Sequence, residues 1–295
     1  MRGAAIAGRS SAWLQGVNGA FLCRLRPVQR TFSRRPNRPW FLGVVHLAPT
    51  PGAPGGRDSM PELLERARHD AAALAAGGVD GVIVENFGDT PFFAETVPPE
   101  TVAAMALALE AVREEIGTRP LGVNVLRNDA RAALGLCAST GASFLRVNVH
   151  TGAMVCDQGL IQGRAAETLR ERERLAPGVS LLADVHVKHA VPLGPKTLES
   201  LLDACEETWR RGRADALILS GRKTGSARDA DDFARVRERI AAPLLCGSGL
   251  DLENGRAILE HTDGAIVGTA LKREGRVGEP VELERVKRMA ELFKG

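Results

Sequence analysis

The sequence predicts a (β/α)8 TIM barrel, and three observations predict it. Short apolar runs alternate with helical runs eight times in strict order; the eight units fill about 255 residues from Trp40 onward; and no Gly-x-Gly-x-x-Gly run follows the first strand. Strands separated by helices of this length pair in parallel through right-handed crossovers. Eight such units in roughly 250 residues match a closed barrel, and the missing glycine fingerprint argues against an open dinucleotide-binding sheet.

Taken in order, the predicted strands are FLGVVH (41–46), DGVIVE (80–85), PLGVNVL (120–126), SFLRVNV (143–149), VSLLADVHV (179–187), DALILS (215–220), APLLCG (242–247) and DGAIVG (263–268). Each is a short Val, Leu and Ile run bounded by turn residues, as expected of strands buried on both faces. Helical patterning falls at 59–76, 98–116, 129–140, 163–175, 197–211, 229–239, 251–260 and 282–294. Asp58 and Ser59 followed by Pro61 and Glu62 mark the first helix start, and Gly77, Gly78 and Gly141 sit where helices should stop. Residues 40–295 are therefore expected to form a single barrel domain, with no linker to divide it.

The first 39 residues have a different character. They carry eight Arg, no Lys and no acid, and place Trp13, Val17, Phe21 and Leu25 at helical spacing, the pattern of a mitochondrial transit peptide with RTFS (30–33) as a processing site. A disordered basic tail and a plastid presequence are the alternatives. Residues 1–39 are expected to be disordered and the mature protein to reside in the mitochondrial matrix. Setting those eight Arg aside leaves 31 basic against 36 acidic residues, so the body is mildly acidic and has no electrostatic footprint for nucleic acid. No run reaches the roughly 20 apolar residues of an integral membrane segment. Five Cys (23, 137, 156, 205, 246) lack CxxC or metal-like spacing, and only Cys156, in a polar loop, merits testing as a nucleophile.

Barrel active sites lie at the C-terminal ends of the strands, so the residues closing each strand are informative. The first ends in His46 and the second in Glu85 and Asn86, with Asp89 close behind. The third carries Asn124 and runs into Arg127 and Asp129. The fourth carries Arg146, Asn148 and His150 and continues to Asp157; the fifth carries Asp184, His186, Lys188 and His189. Glu85 and Asp184 are candidates for an acid/base pair, His46 and His150 for alternative proton carriers, and Lys188 for an anion-pairing or Schiff-base lysine. Asn86, Asp89, Asn124, Arg127, Asn148, Asp157 and His189 are candidates for substrate contacts. Asp129 suits a helix N-cap better than a catalytic role, and Arg146 a deeper position beside a buried acid.

The last three strands end in small residues: Ser220 and Gly221 with Thr224 and Gly225; Gly247, Ser248 and Gly249; then Gly268 and Thr269 with Lys272. Glycine lets backbone amides approach an anion, and a helix after the eighth strand would add its positive end, so these residues are expected to bind a phosphate. The alternative is that the glycines only form tight turns. No cofactor is predicted. A divalent metal on His46, Glu85 and Asp184 is conceivable, but no HxH or HExxH spacing supports it.

The runs GVVHLAPTPGAPG, VENFGDTPF, VPPETVAAM, NVLRND, RVNVHTGAMVCDQG and ADVHVKHA, with the GSG and IVGTALK pair, resemble the BtpA family, which includes the SgcQ-type proteins. The resemblance runs from about Phe41 to near the C-terminus. It implies a barrel of the ribulose-phosphate-binding type. It also brings two functional associations, a cyanobacterial factor for photosystem I biogenesis and products of sugar-utilisation operons. The photosystem role is not carried over to a chain with a mitochondrial address.

The leading expectation is an isomerase, lyase or hydrolase acting on a small phosphorylated metabolite of sugar-phosphate or nucleotide-sugar type. A non-catalytic assembly factor for a membrane protein complex and a phosphate-ligand sensor are the competing classes. Homo-oligomerisation is expected because barrel side helices often pack together, though no stripe selects a surface for it.

Overall fold

The computed structural model describes residues 32–35, 38–221 and 228–294. Eight parallel strands close into a barrel: β1 (Trp40–His46), β2 (Gly81–Glu85), β3 (Leu121–Asn124), β4 (Phe144–Val147), β7 (Ser180–Val185), β9 (Ala216–Leu219), β10 (Leu244–Cys246) and β11 (Gly264–Val267), with β11 pairing back onto β1. Helices α1 (Met60–Gly77), α2 (Pro99–Ile116), α3 (Ala130–Thr140), α4 (Ala165–Leu175), α5 (Leu198–Glu206), α6 (Ala230–Arg239), α7 (Gly255–Leu259) and α8 (Leu283–Glu291) follow the barrel strands. A π-helical turn at Glu207–Arg211 extends α5.

The predicted start and stop signals operate locally. The Ser59 amide donates to the Glu62 carboxylate at 2.7 Å, and Gly78 ends α1 in the left-handed region at φ 95°. Asp129 caps α3 by accepting from the Ala132 amide at 2.9 Å. Two apolar layers result. Val, Leu and Ala on the outer strand faces pack against the helices, while Leu42, Val44, Ile83, Phe144, Leu182, Ile218, Leu245 and Ile266 fill the interior. Gly122 leaves the space that the Phe144 ring occupies, since a Cβ there would stand 2.1 Å from the ring.

Four expectations need correction. Residues 1–39 are not all disordered: the buried Phe32 packs on Trp40 and Phe144 at ring-centroid distances of 4.9 and 4.8 Å and plugs the N-terminal end of the barrel. Arg34 pairs with Asp263, and Arg35 and Arg38 with Asp80, so these arginines clasp the barrel floor. The loop after β4 is not irregular. It folds as the hairpin β5 (Ala153–Cys156) and β6 (Gly159–Gln162), and β8 (Ala190–Pro192) adds to β5 to make a three-stranded antiparallel cap. Met154 and Ile161 on its inner face pack with Val149 and Val187. Because the chain is drawn into this cap, the fourth and fifth barrel strands stop at Val147 and Val185, two residues early. Finally, only a three-residue 3-10 turn (Thr269–Leu271) follows β11 directly, and α8 begins at Leu283.

Candidate functional site

Strand register sets the level of the first residues: His46 pairs with Glu85, and Glu85 with Asn124, at the C-terminal rim of β1, β2 and β3. Between these strands and β7 lies Arg146, on the inward face of β4. Its Nε and Nη2 donate to the two oxygens of Asp184 at 2.8 and 2.9 Å, and its Nη1 donates to Glu85 Oε1 at 3.0 Å. Asn148 Nδ2 and Ser220 Oγ also donate to Asp184, at 3.1 and 3.2 Å, and Asn124 Nδ2 donates to Glu85 Oε1 at 3.1 Å. All six residues are buried. Burial disfavours the Arg146 charge, but Asp184 and Glu85 outweigh it and hold the guanidinium above its ordinary value.

This network changes the expected division of labour. A carboxylate offers about four lone-pair positions, and Asp184 accepts four hydrogen bonds, so it is an anchor for Arg146 rather than a free acid or base. Glu85 takes both of its bonds on Oε1, and its Oε2 keeps no partner among the described residues. The guanidinium between Glu85 and Asp184 also occupies the ground on which a metal would need those carboxylates to converge, so His46, Glu85 and Asp184 do not fit a divalent cation. Among the described residues no other group of His, Cys, Asp and Glu has metal-ligand geometry.

Above the network opens a cavity of about 440 Å³ lined by His46, Glu85, Arg146 and Lys188 on one side and by 247–253 and 267–270 on the other. The Lys188 ammonium nitrogen Nζ makes no hydrogen bond or ion pair with any described residue. Desolvation, then the neighbouring Arg146, lower its pKa, against a smaller opposing pull from Glu85 and Asp184. Burial, followed by Lys272, Lys188 and Arg146, holds His46 well below its ordinary value, so the ring is neutral at pH 7; its Nδ1 is buried without a partner. On the opposite wall, the amides of Ser248, Gly249, Thr269 and Ala270 donate to no described group. Gly268 is required here, because a Cβ would come within 2.6 Å of the His46 ring.

Several expected ligand contacts lie elsewhere. Asn86 and Asp89 hold loops together: Asn86 exchanges hydrogen bonds with the Leu126 backbone, and Asp89 accepts from the Thr50 amide and hydroxyl and from Asn86 Nδ2. Arg127 Nη2 donates to the Lys188 carbonyl at 2.7 Å, acting on the lysine's loop rather than on the cavity. His150, expected at the rim, points away from it and bonds the Gly212 carbonyl through Nε2 at 2.7 Å. Asp157 sits exposed at the tip of the β5–β6 hairpin with Cys156 beside it, and the exposed His189 lies outside the cavity as well. Lys272 turns away from the glycine loops to pair with buried Asp70 at 2.6 Å. Gly221 follows the buried Ser220 and borders a different cavity, beside His186. Thr224 and Gly225 lie outside the described residues.

Sequence reasoning missed Arg285 and Arg288, which bring α8 to the cavity mouth. In sequence they read as the solvated face of a terminal helix, and nothing in their spacing marks them. The deeper position expected for Arg146 beside a buried acid is the one it takes, between Asp184 and Glu85.

Comparison with known proteins follows from this geometry. The profile of the BtpA family matches residues 38–295. A photosystem I biogenesis protein, BtpA, of Synechocystis is 44% identical over 253 residues, covering 85% of this chain and 87% of its own. An uncharacterized protein of Pyrococcus furiosus is 41% identical over 87% of this chain and 94% of its own. A Caenorhabditis elegans protein described as uncharacterized and mitochondrial is 31% identical over 85% and 91%. Among solved structures, GGGPS from Thermoplasma volcanium superposes with a TM-score of 0.57 at 14% identity, covering 88% of this chain and 93% of that one. Thiamine phosphate pyrophosphorylase from Pyrococcus furiosus gives 0.52 at 15%, over 85% and 94%. These two likenesses establish the TIM-barrel fold alone.

Proposed function

This chain belongs to the BtpA family, and from that premise we propose that it is a barrel enzyme acting on a small phosphorylated metabolite. One observation carries the reading: a single cavity has unclaimed backbone amides of two glycine loops on one wall and an unpaired lysine, a neutral histidine and a half-free carboxylate on the other. Amides at 248, 249, 269 and 270 suit a phosphate, and Arg285 and Arg288 add positive charge at the mouth. The anion would direct the rest of the molecule toward His46, Glu85 and Lys188. Arg146 and Asp184 serve as the rigid floor beneath them. The phosphate-bearing names of structural neighbours such as thiamine phosphate pyrophosphorylase and N-(5'-phosphoribosyl)anthranilate isomerase accord with this substrate class.

A thermal-shift screen against inorganic phosphate and a panel of sugar phosphates tests the anion site, since ligands that bind the native state raise its melting temperature. Gly268→Val, which drives a side chain into the His46 ring, should abolish the response. Indifference of the parent protein to every phosphate compound would end this reading.

A second reading, an assembly factor acting through its surface, is supported by the cyanobacterial relative's name and by one feature of the cap. Val155, Leu160 and Val191 form an exposed apolar row across β5, β6 and β8. Substitutions on this row, and not in the cavity, would abolish such a role. A mitochondrial address is supported by the arginine-rich, acid-free N-terminal composition and by the naming of the nematode relative.

A further inference from the structure

Resting on the phosphorylated-metabolite reading, we propose that Lys188 attacks the carbonyl carbon of a small phosphorylated ketone or aldehyde and holds it as an imine. A half-buried lysine flanked by carboxylates ordinarily pairs with one of them. Here two carboxylates are close enough to act on Lys188 electrostatically, yet neither pairs with it. Arg146 is the reason: it takes both oxygens of Asp184 and Oε1 of Glu85, leaving the amine in the cavity without a partner. The guanidinium thus fixes two negative charges and at the same time repels a third charge of its own sign.

The backbone keeps the lysine in place. Its carbonyl accepts from Arg127, and it lies between His186 and His189, which hold left-handed conformations at φ 51° and 59°. Non-glycine residues adopt this region at a cost and persist there where the surroundings dictate it. Two such residues bracketing one cavity-facing lysine point to a placement that serves the side chain. Burial and the adjacent Arg146 favour the neutral amine, the form with a lone pair to donate.

The chemistry balances with no oxidant or reductant. The Lys188 nitrogen lone pair forms the N–C bond as the carbonyl π pair moves to oxygen, giving a carbinolamine. Both amine protons then leave with that oxygen as water, and the nitrogen lone pair closes the C=N bond. Glu85 Oε2 and the neutral His46 ring line the same cavity and are the groups able to relay these protons.

The test is reductive trapping. The full chain is incubated with pyridoxal 5'-phosphate, dihydroxyacetone phosphate or glyceraldehyde 3-phosphate, treated with borohydride and mapped by peptide mass. One adduct per chain at Lys188 is expected. Inorganic phosphate should slow it on the order of tenfold by competing for the same site, and glyceraldehyde lacking the phosphate should label Lys188 more slowly. Lys188→Arg, which retains the charge, and Lys188→Met should both lose the adduct while keeping native circular dichroism. Labels spread over surface lysines with Lys188 unmodified, in a protein that phosphate still stabilises, would overturn the imine and leave the phosphate site standing. An adduct at Lys188 indifferent to phosphate, in a protein phosphate does not stabilise, would overturn the reading beneath it.

Discussion

The two ends of the barrel are built from the same residue types and use them in opposite ways. At the floor, Asp80, Asp215 and Asp263 each stand just before a strand and accept from an amide in the first two residues of the neighbouring strand: Phe41 at 2.9 Å, Leu181 at 2.8 Å and Leu244 at 2.8 Å. Each also pairs with arginine, Asp80 with Arg38, Asp215 with Arg172, and Asp263 with Arg237 and Arg34. Each of these carboxylates is thus held by both a backbone amide and a guanidinium. At the rim, Arg146 and Asp184 are equally well paired, but the groups around them are not. Among the described residues five buried side-chain atoms lack a partner, and four belong to His46, Asn148, His150 and Ser248 at or beyond the C-terminal strand ends, against Thr262 at the floor. Buried polar groups are otherwise satisfied in folded proteins. Of these exceptions, His46 and Ser248 line the cavity, where the proposed ligand would complete their hydrogen bonding, whereas His150 faces Gly212.

The largest expected effect breaks the rim. Arg146→Met leaves Asp184 and Glu85 buried without their cation, and removing one partner of a buried pair costs about 3–5 kcal/mol. Urea denaturation should show this loss, and adding Asp184→Asn and Glu85→Gln should restore much of it. If Arg146→Met alone were nearly as stable as the parent, Arg146 would not be the organiser of the rim.

Next is the floor. Phe32→Ala removes a buried ring from the plug against Trp40 and Phe144, and such truncations cost about 3 kcal/mol or more. The melting temperature should fall while the rise produced by phosphate stays as in the parent. A chain begun at Trp40 should lose as much, because it also lacks Arg34, Arg35 and Arg38. Loss of the phosphate response in Phe32→Ala would show that the two ends are coupled.

Phe32 also illustrates what the sequence conceals. The barrel was legible because strand and helix periodicity recur eight times and each unit reports on itself. The role of Phe32 depends on Trp40 and Phe144, the latter more than a hundred residues away, and its surroundings in the sequence are arginines that read as a presequence. Asp80 and Asp263 likewise read only as the opening residues of predicted strands. Their partners are amides of neighbouring strands, which no local pattern reveals. The cap was more nearly within reach: AMVC and GLIQ flank Asp157 and Gln158, a hairpin signature, with Gly159 at φ 90° where glycine is favoured. At the rim, residue types identified His46, Glu85, Lys188 and the glycine loops as neighbours. Which carboxylate was free depended on where one guanidinium pointed.

A smaller effect follows from protonation. His46 and His150 both have pKa values lowered first by burial. As the pH falls below the ordinary histidine value of about 6.5, the unfolded chain takes up protons that the folded chain refuses. Stability therefore falls with falling pH from that value down to each folded-state value, with a slope approaching ~1.4 kcal/mol per pH unit for each such residue. Denaturation measured between about pH 7.5 and pH 5 should show this slope, and His46→Asn should reduce it. An unchanged slope in His46→Asn would mean that folding does not lower the pKa of the ring, despite burial beside Lys272, Lys188 and Arg146.

The smallest effect tests how tightly the site is bounded. Asp157 belongs to the run RVNVHTGAMVCDQG and, by sequence, stands as close to Arg146 as many true pocket residues do. In the structure the chain leaves the barrel after Val147, turns His150 outward onto Gly212 and carries Asp157 to the exposed tip of the hairpin. Asp157→Asn should therefore change stability by no more than about 0.5 kcal/mol, as surface substitutions do, and leave the phosphate-induced melting shift intact. Ser248→Val, seven residues before α7 begins and far from Asp157 in sequence, should weaken that shift, because a branched apolar side chain crowds the amides of the glycine loop. Were Asp157→Asn to weaken it instead, the cap would have to fold over the cavity when ligand binds, and the boundary between floor, rim and cap would move with it.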